Sequence, residues 1–261
     1  MRFVTLDVFT DTPFGGNRLA VVLAADGLTT PQMQSVAAEF GFSETAFVCS
    51  TTVPGLDARV RIFTPTKELG FAGHPNVGAA LALAEGDRTL RFEEGAGPVV
   101  VNVRAGVAEV EAPQGFERLG TVDAAMVAAA CGISERDVIG DPVLATCGTA
   151  FIVARTSALG AARPVSSLES VTGVLLYTPG DPIRARVFAP GIGVPEDPAT
   201  GSAALVLAGL LGEGAWTIEQ GIEMGRPSLL RVRSDGRGRT WVAGTAVEMM
   251  RGSLTAWQGL R

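Results

Sequence analysis

The chain of 261 residues has one histidine, three cysteines and a single lysine, Lys67. One histidine, His74, excludes a histidine-rich metal site. Three cysteines (Cys49, Cys131, Cys147), an odd number with no CxxC spacing, argue against a disulfide framework and against a zinc site. A cationic surplus is also missing: 21 Lys plus Arg stand against 27 Asp plus Glu, and the net charge of −6 removes the electrostatic footprint that nucleic acid or an anionic membrane would need. Long apolar runs are absent too. The longest, Ala124–Ile133 and Ala203–Leu211, fall far short of the roughly 18 residues that span a bilayer. The near-absence of lysine beside the excess of alanine and glycine reads as codon bias rather than function.

What is present suits a folded domain or two. At 47% hydrophobic and 18% charged the chain is too apolar to be disordered, and its length lies between one large domain and two of about 130 residues. The opening MRFVTLDVFTD carries an acid at Asp7 and no apolar signal core, so no secretory signal is expected and the cytoplasm is the expected compartment. A small ligand or a protein partner remains.

Internal repetition resolves the length. Arg59, Arg61, Phe63 and Pro65 match Arg184, Arg186, Phe188 and Pro190 at an offset of 125, and Pro75, Gly78 and Ala80 match Pro198, Gly201 and Ala203 at an offset of 123. Either the chain holds two copies of one unit, or strand–loop–helix elements of a Gly/Ala-rich protein resemble each other by chance. Each copy reads as an alternating strand, a Gly/Pro loop and an Ala/Leu-rich helix. Pro75 and Pro198 suit the first helical position, which predicts His74 and Asp197 as N-caps. If a pseudo-twofold axis relates the copies, two helix N-termini would face each other and offer N–H groups to an anion, most simply a substrate carboxylate.

Glu44 stands out in the first copy. Thr30 and Pro31 start a helix whose stripe is Met33, Val36, Ala37 and Phe40, and Gly41 stops it. FSETAFV then alternates as a strand in which Phe42, Glu44, Ala46 and Val48 share a phase, so the acid lies on the more apolar face. A carboxylate there is either paired or pushed up in pKa by desolvation, as a general acid/base needs; the alternative is a strand-edge residue reaching water. The matching run of the second copy, TGVLLYT (172–178), has a small residue near Gly173 instead. One carboxylate fits proton removal and return on one face, whereas a two-base racemase needs a group on each side. A further match of VAAEFGFSE (36–44) with VAAACGISE (127–135) has a discordant offset of 91, and Glu135 reads as a surface residue.

The remaining polar signals have plainer readings. Asn17 in GGNRLAVV reads as a turn residue or a cleft residue, with the turn favoured. Arg59 and Arg61 read as the solvated face of a strand, Cys147 as core at the start of a buried strand, and DGRGR (235–239) as a polar hairpin turn. Arg226 is either a second carboxylate clamp or an interdomain or subunit contact.

Taken together, VFTDTPFGGNRLAVV, FSETAFV, IFTPTKELGFAGHPNVGAALAL, VPEDPATGSAA and QGIEMGRPS resemble the PhzF family of phenazine-biosynthesis-type isomerases, within the diaminopimelate epimerase-like fold. The resemblance covers nearly the whole chain, and GHPNVGAA and EDPATGSAA are its most specific blocks. It implies an α+β architecture of two similar domains related by pseudo-twofold symmetry, residues 1–115 and 116–261, each a curved, mostly antiparallel sheet around a central helix. The active site would lie between them, and the last strand could pack back on the first domain. By motif, the family's catalytic glutamate falls on Glu44, its histidine on His74, and its aspartate and serine on Asp197 and Ser202. Related epimerases carry paired cysteines at the two helix starts; here His74 and Asp197 stand near those places, which weighs against thiol-based epimerisation.

The mechanism implied is a proton shuttle that needs no metal and no cofactor. Glu44 would remove an activated proton from a small carboxylic acid and return it to another carbon on the same face. His74 and Asp197 would orient a polar substituent or help move protons. Substrate-binding residues would be Gly73, Asn76, Thr200, Gly201 and Ser202, with backbone N–H groups holding the carboxylate and the Ser202 hydroxyl bonding the ligand. The partner implied is a small carboxylate, with no nucleic acid and no membrane, and the fold's exposed sheet edges suit a homodimer. The alternatives are a carboxylate-binding or protein-interaction member of the same fold without turnover, and a thiol-dependent epimerase.

Overall fold

The structure is a computed structural model that describes residues 1–168 and 171–255. It is a sheet-dominated α+β protein, with four α-helices against eighteen strands among the described residues. The chain divides into two compact units. The first is Met1–Pro113, resumed at Ala243, and the second is Gln114–Val242.

The first unit begins with β1 (Arg2–Val8), β2 (Asn17–Val22), α1 (Thr30–Phe40), β3 (Glu44–Cys49), β4 (Ala58–Phe63) and β5 (Glu68–Leu69). It continues through α2 (Gly73–Leu83), β6 (Arg88–Glu94), β7 (Gly97–Arg104) and β8 (Val107–Glu111). Helix α1 starts and stops where its punctuation predicts: Thr29 and Gln32 form a capping box with Pro31 in the first turn, and Gly41 closes the helix at φ 62°. Its stripe of Met33, Val36 and Ala37 packs on Val22, Phe47 and Phe63, with Phe3 and Phe40 edge to face at 5.2 Å. Each large side chain buried this way contributes about 1.5–3 kcal/mol.

Because side chains alternate along a strand, Phe47 and Cys49 turned toward α1 leave Glu44, Ala46 and Val48 on the opposite face of β3. That face meets α2. Helix α2 is apolar nearly all round and packs on β1, β2, β3, β7 and β8, the burial expected of a helix with no polar side. Gly78 makes the approach possible: a Cβ there would come within 2.3 Å of Leu19 and 2.9 Å of Val8.

The second unit holds β9 (Glu117–Thr121), α3 (Ala124–Cys131), β10 (Val138–Thr146), β11 (Ala150–Thr156), β12 (Gly173–Thr178) and β13 (Ile183–Ala189). After these come β14 (Val194–Asp197), α4 (Gly201–Leu211), β15 (Glu213–Gln220), β16 (Ser228–Asp235) and β17 (Thr240–Gly244), the last crossing into the first unit, where β18 (Ala246–Ser253) pairs antiparallel with β1. Helix α3 covers Ile152, Ala154, Leu176 and Phe188, and α4, apolar all round, packs on β11, β15 and β16.

The order of pairings is the same in the two units. In the first, β1–β2 is antiparallel, β2–β3 parallel, β3–β4 and β4–β5 antiparallel, β4–β6 parallel and β6–β7 antiparallel. In the second, β10–β11 is antiparallel, β11–β12 parallel, β12–β13 and β13–β14 antiparallel, β13–β15 parallel and β15–β16 antiparallel.

A side-chain device recurs with the topology. Arg61 on β4 forks Glu68 on β5 with two bonds of 2.7 Å, and Arg186 on β13 forks Glu196 on β14 with two of 2.8 Å. Each guanidinium also lies over the phenylalanine two residues on, Phe63 at 5.2 Å and Phe188 at 5.0 Å. The repeated Arg-x-Phe signature thus clamps the short strand that leads into each central helix. Arg59 is half exposed as expected of a solvated face, but Arg61 is not; its fork to Glu68 draws it in to 16% side-chain exposure.

Candidate active site

The first unit gathers four of its polar residues at the start of α2. Glu44 opens β3 and is buried, and His74 in the first turn of α2 is 3% exposed. Nε2 of His74 lies 3.5 Å from Oε2 of Glu44. On the other side of the ring, Nδ1 lies 3.4 Å from Nδ2 of Asn17, and the Ser43 hydroxyl donates to Oδ1 of Asn17 at 2.8 Å. Ser43 and Glu44 are neighbours in the chain, so the four side chains close a ring: Ser43, Asn17, His74, Glu44.

Burial sets the charge of this ring. Desolvation pushes the His74 imidazole from 6.5 down to about 3, and the Arg18 backbone, which favours the protonated form, opposes it only in part. His74 is therefore neutral at physiological pH, and its contact with Glu44 is that of an uncharged ring with a carboxyl group rather than an ion pair.

The helix starts differ from the sequence expectation. His74 is not the N-cap of α2; Ala72 is, and His74 and Pro75 occupy the second and third helical positions. The first four amides of a helix have no intrahelical acceptor, so proline is tolerated throughout the first turn and its position does not mark the first residue. Nor does Asp197 cap α4. It ends β14, paired with Val187, and Pro198 disfavours a helical conformation at the residue before it, so α4 begins only at Gly201 behind Thr200.

Asn17, read from sequence as a turn residue, is instead the first residue of β2 and 1% exposed. The turn ends at Gly16, whose φ of 60° and 2.3 Å approach to the Val8 carbonyl leave no room for a Cβ. Asn17 shares the buried phase of Leu19, which sits opposite Glu44 in the parallel pairing of β2 with β3.

Within the same unit, Gly73 and Asn76 are buried on the first turn and a half of α2. The Asn76 amide donates to the Ala72 carbonyl at 3.0 Å. Close to it lies Glu94, the last residue of β6, 9% exposed. Burial raises its pKa from 4.5 to about 8, with Asn76 acting the other way.

The second unit presents a separate polar cluster. Oδ2 of the buried Asp197 accepts from the Thr200 hydroxyl at 2.6 Å. Gln220 locks the pair, its Nε2 donating to the Asp197 carbonyl at 2.7 Å and its Oε1 accepting the Thr200 N–H at 3.1 Å. The Thr200 amide is thus engaged by protein, while Gly201 and Ser202 supply first-turn amides of α4, which have no intrahelical acceptor. Sequence reasoning misses Glu94 and Gln220 and favours a turn over the cleft for Asn17, yet one signal marks all three: each is a polar residue in the apolar phase of its strand, with Leu19, Phe92 and Ile218 two positions away.

Every cysteine is buried, and burial pushes the Cys131 and Cys147 thiols up to about 12 and about 11, the reverse of an activated nucleophile. Among the described residues no helix is long and apolar enough to cross a membrane, and no cluster of three His, Cys, Asp or Glu could hold a metal ion.

Comparison with known proteins gives a consistent picture. A family model described as phenazine biosynthesis-like protein matches residues 6–252. The trans-2,3-dihydro-3-hydroxyanthranilate isomerase of Pseudomonas chlororaphis is 35% identical over 97% of this chain and 99% of its own. Among solved structures, a protein described as a predicted epimerase from Pseudomonas aeruginosa has 30% identity and a TM-score of 0.87, covering 97% of this chain and 98% of its own. A hydroxyproline epimerase from Agrobacterium vitis has a TM-score of 0.67 at 12% identity, over 98% of this chain and 92% of its own, a likeness of fold alone.

Proposed function

The chain belongs to the phenazine biosynthesis-like PhzF family of isomerases, and on that premise we propose that it moves a hydrogen within a small unsaturated carboxylic acid by a cofactor-free proton shuttle, with Glu44 as general acid/base. The observation that carries this reading is the buried contact of Glu44 with a neutral His74. Burial disfavours the imidazolium that His74 would become on taking a proton, which supports giving the base role to the Glu44 carboxylate. A neutral ring beside Glu44 leaves the charge of the carboxylate intact.

The step balances without a co-reactant. The Glu44 carboxylate takes a proton from a carbon activated by the adjacent unsaturated system. The electron pair of the broken C–H bond moves into that system, and the carboxylic acid so formed returns the proton to another carbon on the same face. The substrate carboxylate is assigned to first-turn amides and to the Ser202 hydroxyl, with Asp197 orienting a polar substituent; these roles rest on the sequence motifs. The dihydro-hydroxyanthranilate named for the Pseudomonas relative is one acid of this class. A racemase-type exchange is disfavoured because Gly173 stands where the second copy would need its acid.

The test is turnover in D2O with a panel of small unsaturated acids, the dihydro-hydroxyanthranilate among them. One solvent deuteron per turnover, or internal transfer of the label from a deuterated substrate, is expected in the wild type and neither in Glu44→Gln. An acid that isomerises equally well with Gln at 44 overturns the assignment.

A further inference from the structure

We propose that Asn17 is a positioning residue that selects the tautomer of His74 and thereby aims a proton donor at Glu44. The inference rests on the reading of Glu44 as the acid/base and adds a role for a residue outside the GHPN and EDPATGSA blocks.

The argument runs through the ring of four side chains. A hydroxyl can donate or accept, whereas an amide has one face of each kind, so the orientation of the Asn17 amide decides which kind of group the imidazole meets. Ser43 donates to Oδ1 of Asn17 at 2.8 Å, which leaves Nδ2, a donor only, toward Nδ1 of His74 at 3.4 Å. A neutral imidazole that accepts at Nδ1 carries its proton on Nε2, and Nε2 faces Oε2 of Glu44 at 3.5 Å. The opposite tautomer would point a donor at the Asn17 amide on one side and a lone pair at a carboxylate oxygen on the other; the Arg18 backbone, which favours a proton on the ring, is the group against which Asn17 acts. Asn17 is 1% exposed and His74 3%, so water does not readily replace either contact. An asparagine suits this place better than an aspartate. A carboxylate at 17 would pull the ring proton to Nδ1 or hold the imidazole charged, and a charged ring beside Glu44 would quench the base.

The experiment exploits the single histidine. Protein labelled with 15N-histidine gives one imidazole, whose two ring nitrogens report tautomer and charge directly. The wild type is expected to show a protonated Nε2 and a bare Nδ1 from pH 5 to pH 8. Asn17→Asp is expected to move the proton to Nδ1 or to charge the ring, with turnover lowered about 10²- to 10⁴-fold, the scale on which general acid/base groups and their tautomers matter. Ser43→Ala, which only frees the amide to rotate, is expected to give a mixture of the two tautomers. It is also the milder change should Asn17→Asp fail to fold. A wild-type ring protonated at Nδ1, or an unchanged tautomer in a folded Asn17→Asp or Ser43→Ala, overturns the proposal. Failure of the Glu44 reading is separable. If Glu44→Gln retains deuterium exchange while Asn17→Asp still shifts the ring proton, the tautomer assignment stands and the base lies elsewhere.

Discussion

His74 and Glu44 meet at 3.5 Å through Nε2 and Oε2, one from the first turn of a central helix and the other from the first residue of the strand beneath it. Burial keeps the histidine neutral, so the contact is not an ion pair.

Removing each partner is expected to have distinct kinetic effects. Glu44→Gln should lower turnover about 10²- to 10⁴-fold. His74→Gln should lower kcat while leaving the acid limb of the kcat/KM profile in place above pH 4, because an imidazole that titrates at about 3 contributes no limb there. A limb that disappears with His74 would show that the histidine is the titrating group.

Stability should depend on pH through two buried groups of opposite sense. The Glu94 carboxyl is raised from 4.5 to about 8, so its contribution is full below pH 4.5 and is lost as pH rises toward 8. His74 is depressed from 6.5 to about 3, so its contribution is full above pH 6.5 and is lost as pH falls toward 3. Between pH 6.5 and 8 Glu94 acts alone of the two. Urea titrations at pH 6.5 and 8 should show a wild-type loss approaching about 1.4 kcal/mol per pH unit. In Glu94→Gln that loss should be largely abolished, and an equal loss in both proteins would contradict a protonated Glu94.

The two arginine forks are expected to differ in worth. Glu196→Ala leaves Arg186, 6% exposed, with only the Leu159 and Ala162 carbonyls, and should cost about 3–5 kcal/mol. Glu68→Ala breaks a pair whose carboxylate is 39% exposed and should cost about 0–1 kcal/mol. Denaturant midpoints at fixed pH decide between this order and its reverse.

Gly78→Ala tests the packing of α2. Alanine improves helix propensity by about 1 kcal/mol, but its Cβ would sit 2.3 Å from Leu19. Overpacking of that kind costs about 1–3 kcal/mol, so a net loss is expected, together with a displaced His74 and lower turnover. Gain of stability would mean that Leu19 yields without moving the helix.

Much of this was legible along the chain. The start signal of Thr30 and Pro31 and the stop at Gly41 bounded α1 because helix ends are decided by local backbone chemistry. Alternation put Glu44 in the apolar phase of β3 because a strand repeats every two residues. The Arg-x-Phe and Pro/Gly repeats announced a duplicated order of strands, since equal local sequences build equal local elements.

What the sequence could not decide were relations between segments far apart in it. The first turn of α2 took in Gly73 and His74 because proline is permitted anywhere in that turn, and Asp197 stayed in β14 because its strand partner and Pro198 hold it extended. Asn17 became a partner of His74, and Glu94 a buried acid beside Asn76, only when sheet register brought them under one helix. The single histidine was evident from composition; its neutrality was not, because a pKa near 3 is a property of the apolar surroundings that tertiary packing supplies.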